Sequence, residues 1–234
     1  MISRRFFCGC ALGAAGFVAT EAVAQGSCQV FTPDRQKATS ADDAMQRLID
    51  GNKRFVANET INCDLRVQVK DTASSQAPFA TILGCIDSRV PPELVFDQKI
   101  GDLFAVRIAG NTFDPDILGS LEFATKVAGS RLICVLGHTN CGAIKGAIDG
   151  VELGNLTQLL HKFRPAIEAS THVHGPRTSK NHELVDAVCE ANAKLTAAAL
   201  TKNSSVLKEL VDAKQLKVVA ALHDLETGRI KFLS

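Results

Sequence analysis

Four apolar runs punctuate the chain: FATILGCI at 79–86, DLFAVRIA at 102–109, RLICVLGH at 131–138 and LKVVAALHD at 216–224. They are short, β-rich and almost uninterrupted by polar residues, the pattern of strands covered on both faces. Helical spacing fills the gaps between them. Ser40 and Asp43 form an N-cap and capping-box start to a first helix. Met45, Leu48, Ile49, Phe55 and Val56 supply its apolar stripe. Polar sequence at 58–77 reads mostly as loop, with LRVQV at 65–69 left unassigned. Pro91 and Pro92 close the first strand and open a helix, where an early proline costs little. The segment 114–130 places Ile117, Leu121, Ala124 and Val127 on one face. Further helices are predicted from 141, over 155–170 and over 181–200, and the chain ends in a turn at Thr227-Gly228 and a short edge strand. Strands alternating with helices predict an α/β fold, a mostly parallel sheet flanked by helices with an N-terminal helical extension. In such a sheet, ligands gather at the carboxyl ends of the strands.

Length, at 234 residues, fits a single domain at 40–234 after a linker at 26–39. A net charge of +1 gives no electrostatic reason to expect nucleic acid or an anionic membrane as partner. The first 25 residues differ in kind. Arg4 and Arg5 precede a weakly hydrophobic Ala/Gly-rich stretch that ends in Ala22-Val23-Ala24. That is the pattern of a twin-arginine export signal cut near Ala24, and it predicts a periplasmic protein with no membrane attachment after cleavage. Cys8 and Cys10 would leave with it. Cys134 and Cys189, inside apolar patterns, read as buried small hydrophobes. Cys28 and Cys63 flank the first helix; an oxidising compartment would let them pair, but sequence does not give their distance.

Chemistry concentrates at two strand ends. GCIDSR follows the first apolar run, and side-chain alternation would put Cys85, Asp87 and Arg89 on one face of an extended segment. His138 and Cys141, spaced H-x-x-C, follow the third run. Two thiols and an imidazole suit zinc, and three protein ligands leave a fourth position open, the mark of a catalytic site.

C-x-D-S-R followed by H-x-x-C-G resembles the β-class carbonic anhydrases. AVRIAGN at 105–111, VLGHTNCGAIKGA at 135–147 and the terminal LHDLETG-x-x-x-F resemble the same family, in order, over roughly residues 40 to 234. The resemblance implies one Zn²⁺ per subunit on Cys85, His138 and Cys141, and reversible hydration of carbon dioxide to bicarbonate and a proton by a zinc-bound hydroxide. It implies that Asp87 orients that hydroxide and that Arg89 offsets the aspartate's charge. In some family members the aspartate becomes a fourth ligand in a closed state, so Arg89 would also hold Asp87 off the metal. Plant-type members carry pocket residues at the positions of Gln76 and Phe104, and a tyrosine where Phe123 stands; Gly142 offers a backbone N–H to a substrate oxygen. Another branch binds bicarbonate away from the metal; Arg107 matches its arginine, but Ile82 replaces its tryptophan. The family is usually a dimer or higher, with its cleft near the subunit interface. Relatives that hydrolyse carbonyl sulfide or carbon disulfide, and a non-catalytic zinc or thiol protein, are the alternatives. A zinc deaminase is disfavoured, because H-x-E and P-C-x-x-C are missing. His172, His174 and His182 are expected in a solvated loop, and His223 in a structural role.

Overall fold

The computed structural model describes residues 28–233. The export signal read at 1–25 lies outside the described residues. A five-stranded sheet organises the chain: β1 (Ala80–Gly84), β2 (Leu103–Arg107), β3 (Leu132–His138), β4 (Lys217–His223) and β5 (Ile230–Leu233). The order is β2-β1-β3-β4-β5; the first four strands are parallel, and β5 is an antiparallel edge. Each apolar run became a strand. β1 and β3, at the centre, are buried at every residue, as uninterrupted hydrophobicity requires.

Alternation sorts these strands onto two cores. Ile82, Cys134 and Leu136 face one side with Leu48, Val95 and Phe96. Leu83, Ile133 and Val135 face the other with Leu121, Leu200 and Leu207. Among the described residues no helix is long and apolar enough to cross a membrane.

The helices are α1 (Pro33–Ala38), α2 (Ala41–Val56), α3 (Leu65–Thr72), α4 (Pro92–Val95), α5 (Pro115–Glu122), α6 (Gly142–Ile148), α7 (Gly154–His161), α8 (Arg164–Ala169), α9 (His182–Asn203) and α10 (Ser205–Asp212). α2 starts with the predicted capping box: Asp43 N–H donates to the Ser40 hydroxyl, and Ser40 N–H to the Asp43 carboxylate.

Several elements depart from the sequence reading. The linker stretch carries α1, fixed by Gln36, whose buried side-chain amide donates to the carbonyls of Pro78 and Ala128. The predicted loop at 58–77 contains α3, capped by Asp64. The helix predicted over 155–170 is two, because α8 restarts with Pro165 in its first turn. Past Asn203 the chain turns at Ser204, whose hydroxyl accepts from Leu207 N–H and caps the unpredicted α10.

A disulfide joins Cys28 to Cys63, tying the start of the described chain to the segment before α3.

Candidate metal centre

Adjacency of β1 and β3 brings the two motifs together. Gly84 pairs with Leu136, so Cys85, one residue past β1, emerges beside His138 at the end of β3. The chain then turns through Asn140, in left-handed backbone at φ 57°, which points Cys141 back to the start of α6. Asp186 of α9 fixes that turn by accepting from the Asn140 N–H at 2.9 Å. Cys85, His138 and Cys141 are buried, and their ligand atoms all lie within 4.8 Å of one another.

A tetrahedral zinc site needs such atoms roughly 3.5–3.8 Å apart, so the three close on a metal with only a small contraction. His138 shows the clearest fit. Its Nδ1 lies 2.9 Å from the Thr139 carbonyl and donates to it, so the lone pair sits on Nε2. Nε2 is buried and has no hydrogen-bond partner. The groups it faces are thiols, weak donors at best, so this buried lone pair is met far better by a cation.

Without a metal the thiols hold their protons. Contact with Cys141, then burial, pushes Cys85 up to about 12. Cys141 is pushed up to about 11, first by the Cys189 thiol beside it and also by burial, against a lowering from Cys85. Cys189 is buried in the same cluster as both ligands; its place within the apolar pattern of 181–200 revealed burial but not this neighbour.

β1 ends at Gly84, so Asp87 and Arg89 do not meet by strand alternation as the sequence suggested. A turn pairs them instead. The Arg89 N–H donates to Asp87 Oδ1 at 3.0 Å, and the guanidinium grips both carboxylate oxygens, Nε to Oδ1 at 2.9 Å and NH2 to Oδ2 at 2.7 Å. That grip holds the Asp87 carboxyl well below the usual carboxylate range. Asp87 Oδ2 lies 3.8 Å from His138 Nε2, beside the metal position but outside the group of ligand atoms.

Arg107, at the end of β2, has a role that its sequence position did not suggest. Its Nε donates to the Cys85 carbonyl at 2.8 Å and its NH2 to the Asp87 carbonyl at 2.5 Å. It braces the loop carrying ligand and carboxylate rather than standing free for an anion.

A cleft of about 270 Å³ opens on the cluster, lined by Ile86, Asp87, Ala109, Gly142, Leu156 and Leu160, among others. Gly142 is thus where the sequence put it. The other three pocket residues are not at this cleft within one chain. Gln76 is exposed beyond the opposite end of β1, roughly 20 Å or more along the strand direction from Cys85. Phe104 pairs in register with Thr81, well before the end of β1. Its ring packs edge-on against Phe123, centroids 6.3 Å apart, in a separate cavity beside α5. His172 and His174 are exposed in a loop, as expected; His182 is exposed too, but as the first residue of α9 rather than in the loop. His223 is buried opposite His138 in the β3–β4 register.

Comparison with known proteins agrees with this geometry. The carbonic anhydrase family model matches residues 80–230. Carbonic anhydrase 2 of Mycobacterium tuberculosis is 34% identical over 192 residues, covering 80% of this chain and 89% of the relative. The carbonic anhydrase of Mycolicibacterium smegmatis is 32% identical over 197 residues, covering 82% and 92%. The solved β-carbonic anhydrase CafA of Aspergillus fumigatus superposes with a TM-score of 0.65 at 27% identity, covering 82% of this chain and 91% of that one. With two cysteines and a histidine meeting at the ends of adjacent parallel strands, the chain belongs to the carbonic anhydrases, in the β class of that family.

Proposed function

We propose that this protein catalyses the reversible hydration of carbon dioxide to bicarbonate and a proton, with one zinc ion per chain on Cys85, His138 and Cys141. The observation that carries this reading is the Cys₂His cluster whose open side faces a carboxylate fixed by an arginine. Bound zinc lowers the pKa of water enough to supply a nucleophile near neutral pH.

The protein's side chains do the rest. Asp87, an acceptor only while ionised, takes a hydrogen bond from the attacking water and aims an oxygen lone pair into the cleft. Arg89 keeps that carboxylate ionised and offsets its charge, so the developing bicarbonate is less repelled. Because both Asp87 oxygens are engaged by Arg89, the carboxylate stays off the metal. Ile86, Ala109, Leu156 and Leu160 give carbon dioxide a small apolar approach, and the Gly142 N–H donates to the oxygen that gains charge. The released proton passes to buffer.

The active assembly is a homodimer or higher. A second copy supplies Gln76, Phe104 and Phe123 to the cleft, which one chain does not bring there. Ile86 at 61%, Leu94 at 64% and Phe123 at 50% exposure support a partner that covers them. The protein works in the periplasm after twin-arginine export and cleavage near Ala24. The disulfide at Cys28 supports that placement, because such bonds persist where the surroundings are oxidising.

Stopped-flow carbon dioxide hydration by zinc-loaded mature protein tests the reading, beside Asp87→Ala and Cys141→Ser with zinc assayed in each. Expected are rapid hydration in the parent, a fall on the order of a hundredfold in Asp87→Ala with zinc retained, and zinc loss in Cys141→Ser. Fully zinc-bound parent without hydration above buffer would sink it, and carbonyl sulfide and carbon disulfide would be the next substrates.

A further inference from the structure

Cys85 receives a backbone hydrogen bond from a residue far along the chain, and that residue is held from two sides. Past β2 the Ile108 N–H donates to the Gly84 carbonyl at 3.0 Å, laying the next turn alongside Cys85. In that turn Gly110 takes φ 70° and ψ 24°, left-handed backbone that favours glycine. Its N–H donates to Cys85 Sγ at 3.3 Å, in the protein interior. A methyl group at Gly110 would stand 2.3 Å from Phe163 Cζ, so the ring closes one side of the peptide. From another side the Asn192 side-chain amide of α9 donates to the Gly110 carbonyl at 2.8 Å. Asn192 is 5% exposed and is neither one of the three ligand residues nor among those lining the cleft.

Each peptide is planar. The Gly110 carbonyl lies in the plane shared with Asn111 while its N–H lies in the plane shared with Ala109, so the two are coupled through the φ and ψ of Gly110, which sits against the Phe163 ring. Hydrogen bonds to the charged form of a group favour that form. We infer that Asn192 is a positioning residue for the metal centre: by anchoring the Gly110 carbonyl it fixes the φ and ψ of Gly110, keeps the N–H of the preceding peptide aimed at Cys85, and so sets how strongly that sulfur donates to the metal. Metal-ligating groups depend on such outer partners, whose loss commonly weakens metal binding ten- to a hundredfold. Without the Asn192 amide the Gly110 carbonyl becomes a buried acceptor with nothing to satisfy it. The Gly110–Asn111 peptide then turns toward another donor, Gly110 leaves its φ 70° and ψ 24°, and the preceding peptide no longer aims its N–H at Cys85. Both partners lie far from Cys85 in sequence, so no local motif announces the arrangement. The inference rests on the zinc reading of the site.

The test uses the full mature chain as Asn192→Leu and Asn192→Ser, with Leu200→Val as a control that loosens α9 away from the cluster. Zinc affinity is measured by chelator competition at pH 7.5. The sulfur-to-metal charge-transfer band is recorded after Co²⁺ substitution. Expected in both Asn192 variants are a ten- to hundredfold loss of zinc affinity and a shift of the band to lower energy, because a sulfur lone pair without its hydrogen bond is easier to ionise. Leu200→Val moves neither. Asn192 variants whose affinity and band match the parent, or match Leu200→Val, overturn the inference and leave the zinc reading standing. A parent protein that takes up neither metal would overturn the zinc reading, and this inference with it.

Discussion

Asp87 and Arg89 sit two residues apart, and the turn that joins them decides the state of the site. The carboxyl is held below its usual range by Arg89, so the sign of its pH dependence is fixed. The pair's stabilising contribution is fully present above about pH 4 and is lost only as pH falls through the lowered value. Arg89→Ala should let the Asp87 pKa rise toward an ordinary carboxylate and free the side chain to reach the metal. Expected is a loss of hydration at pH 7 to 8 of at least tenfold with zinc content unchanged, read by stopped flow and metal analysis. An unchanged rate would show that the arginine is dispensable. Arg107→Ala should cost both rate and zinc retention, because one guanidinium braces the Cys85 and Asp87 carbonyls together. Residue type and spacing pointed to Cys85, His138 and Cys141 as a group, while the parts for Asp87 and Arg89 came from the resemblance of C-x-D-S-R to a family, and a turn rather than the expected alternation pairs them. Arg107's bracing was not legible, because a side chain bonding backbone carbonyls leaves no pattern in sequence.

At the scale of elements, a segment was legible wherever its burial left a mark in the apolar pattern: unbroken runs for β1 to β4 and a helical stripe for α2. A turn signal marked the approach to β5. α3 has no such mark: Leu65, Val67 and Val69 are 61%, 52% and 55% exposed, so its apolar residues point outward and mimic a loop. α1 was missed because a polar residue, Gln36, rather than an apolar stripe, holds it to the body. The disulfide that ties this region down spans 35 residues. A closed loop of that size stabilises by roughly 3–4 kcal/mol in the chain-entropy account. The double variant Cys28→Ser/Cys63→Ser should lose about that much in urea unfolding while keeping zinc, since neither cysteine is in the cluster. A loss below about 0.5 kcal/mol would mean that the segment is held by packing alone.

For the whole molecule, sheet order is what turns two distant motifs into one centre. Cys85 and His138 are far apart in sequence, yet β1 and β3 are neighbours. Parallel topology and a strand-end site were readable from the alternation of elements; that Gln76, Phe104 and Phe123 lie away from the cleft within one chain was not, because an offset in sequence does not state a distance in space. Phe123→Asp should therefore shift mature protein toward monomer in sedimentation and lower hydration more than zinc content. A fully dimeric variant with parent activity would remove Phe123 from the interface. Metal loading should also be proton-linked. With the site thiols at about 12 and about 11 when metal-free, both are protonated at neutral pH, and binding expels two protons. Apparent zinc affinity should rise by up to about a hundredfold per pH unit below that range, measurable by chelator competition from pH 6 to 8.

The same reluctance to ionise bears on how these sulfurs would fare in oxidising surroundings. Oxidants and alkylating agents attack thiolates rather than thiols. A metal-free centre whose sulfurs stay protonated, inside a buried cluster, presents almost no target to them. The sulfurs that would otherwise be vulnerable at the surface, Cys28 and Cys63, are already joined to each other. Among the described residues, one pair of cysteines is spent on oxidation, and the site pair, like the buried Cys134 and Cys189, is shielded from it until a metal takes Cys85 and Cys141.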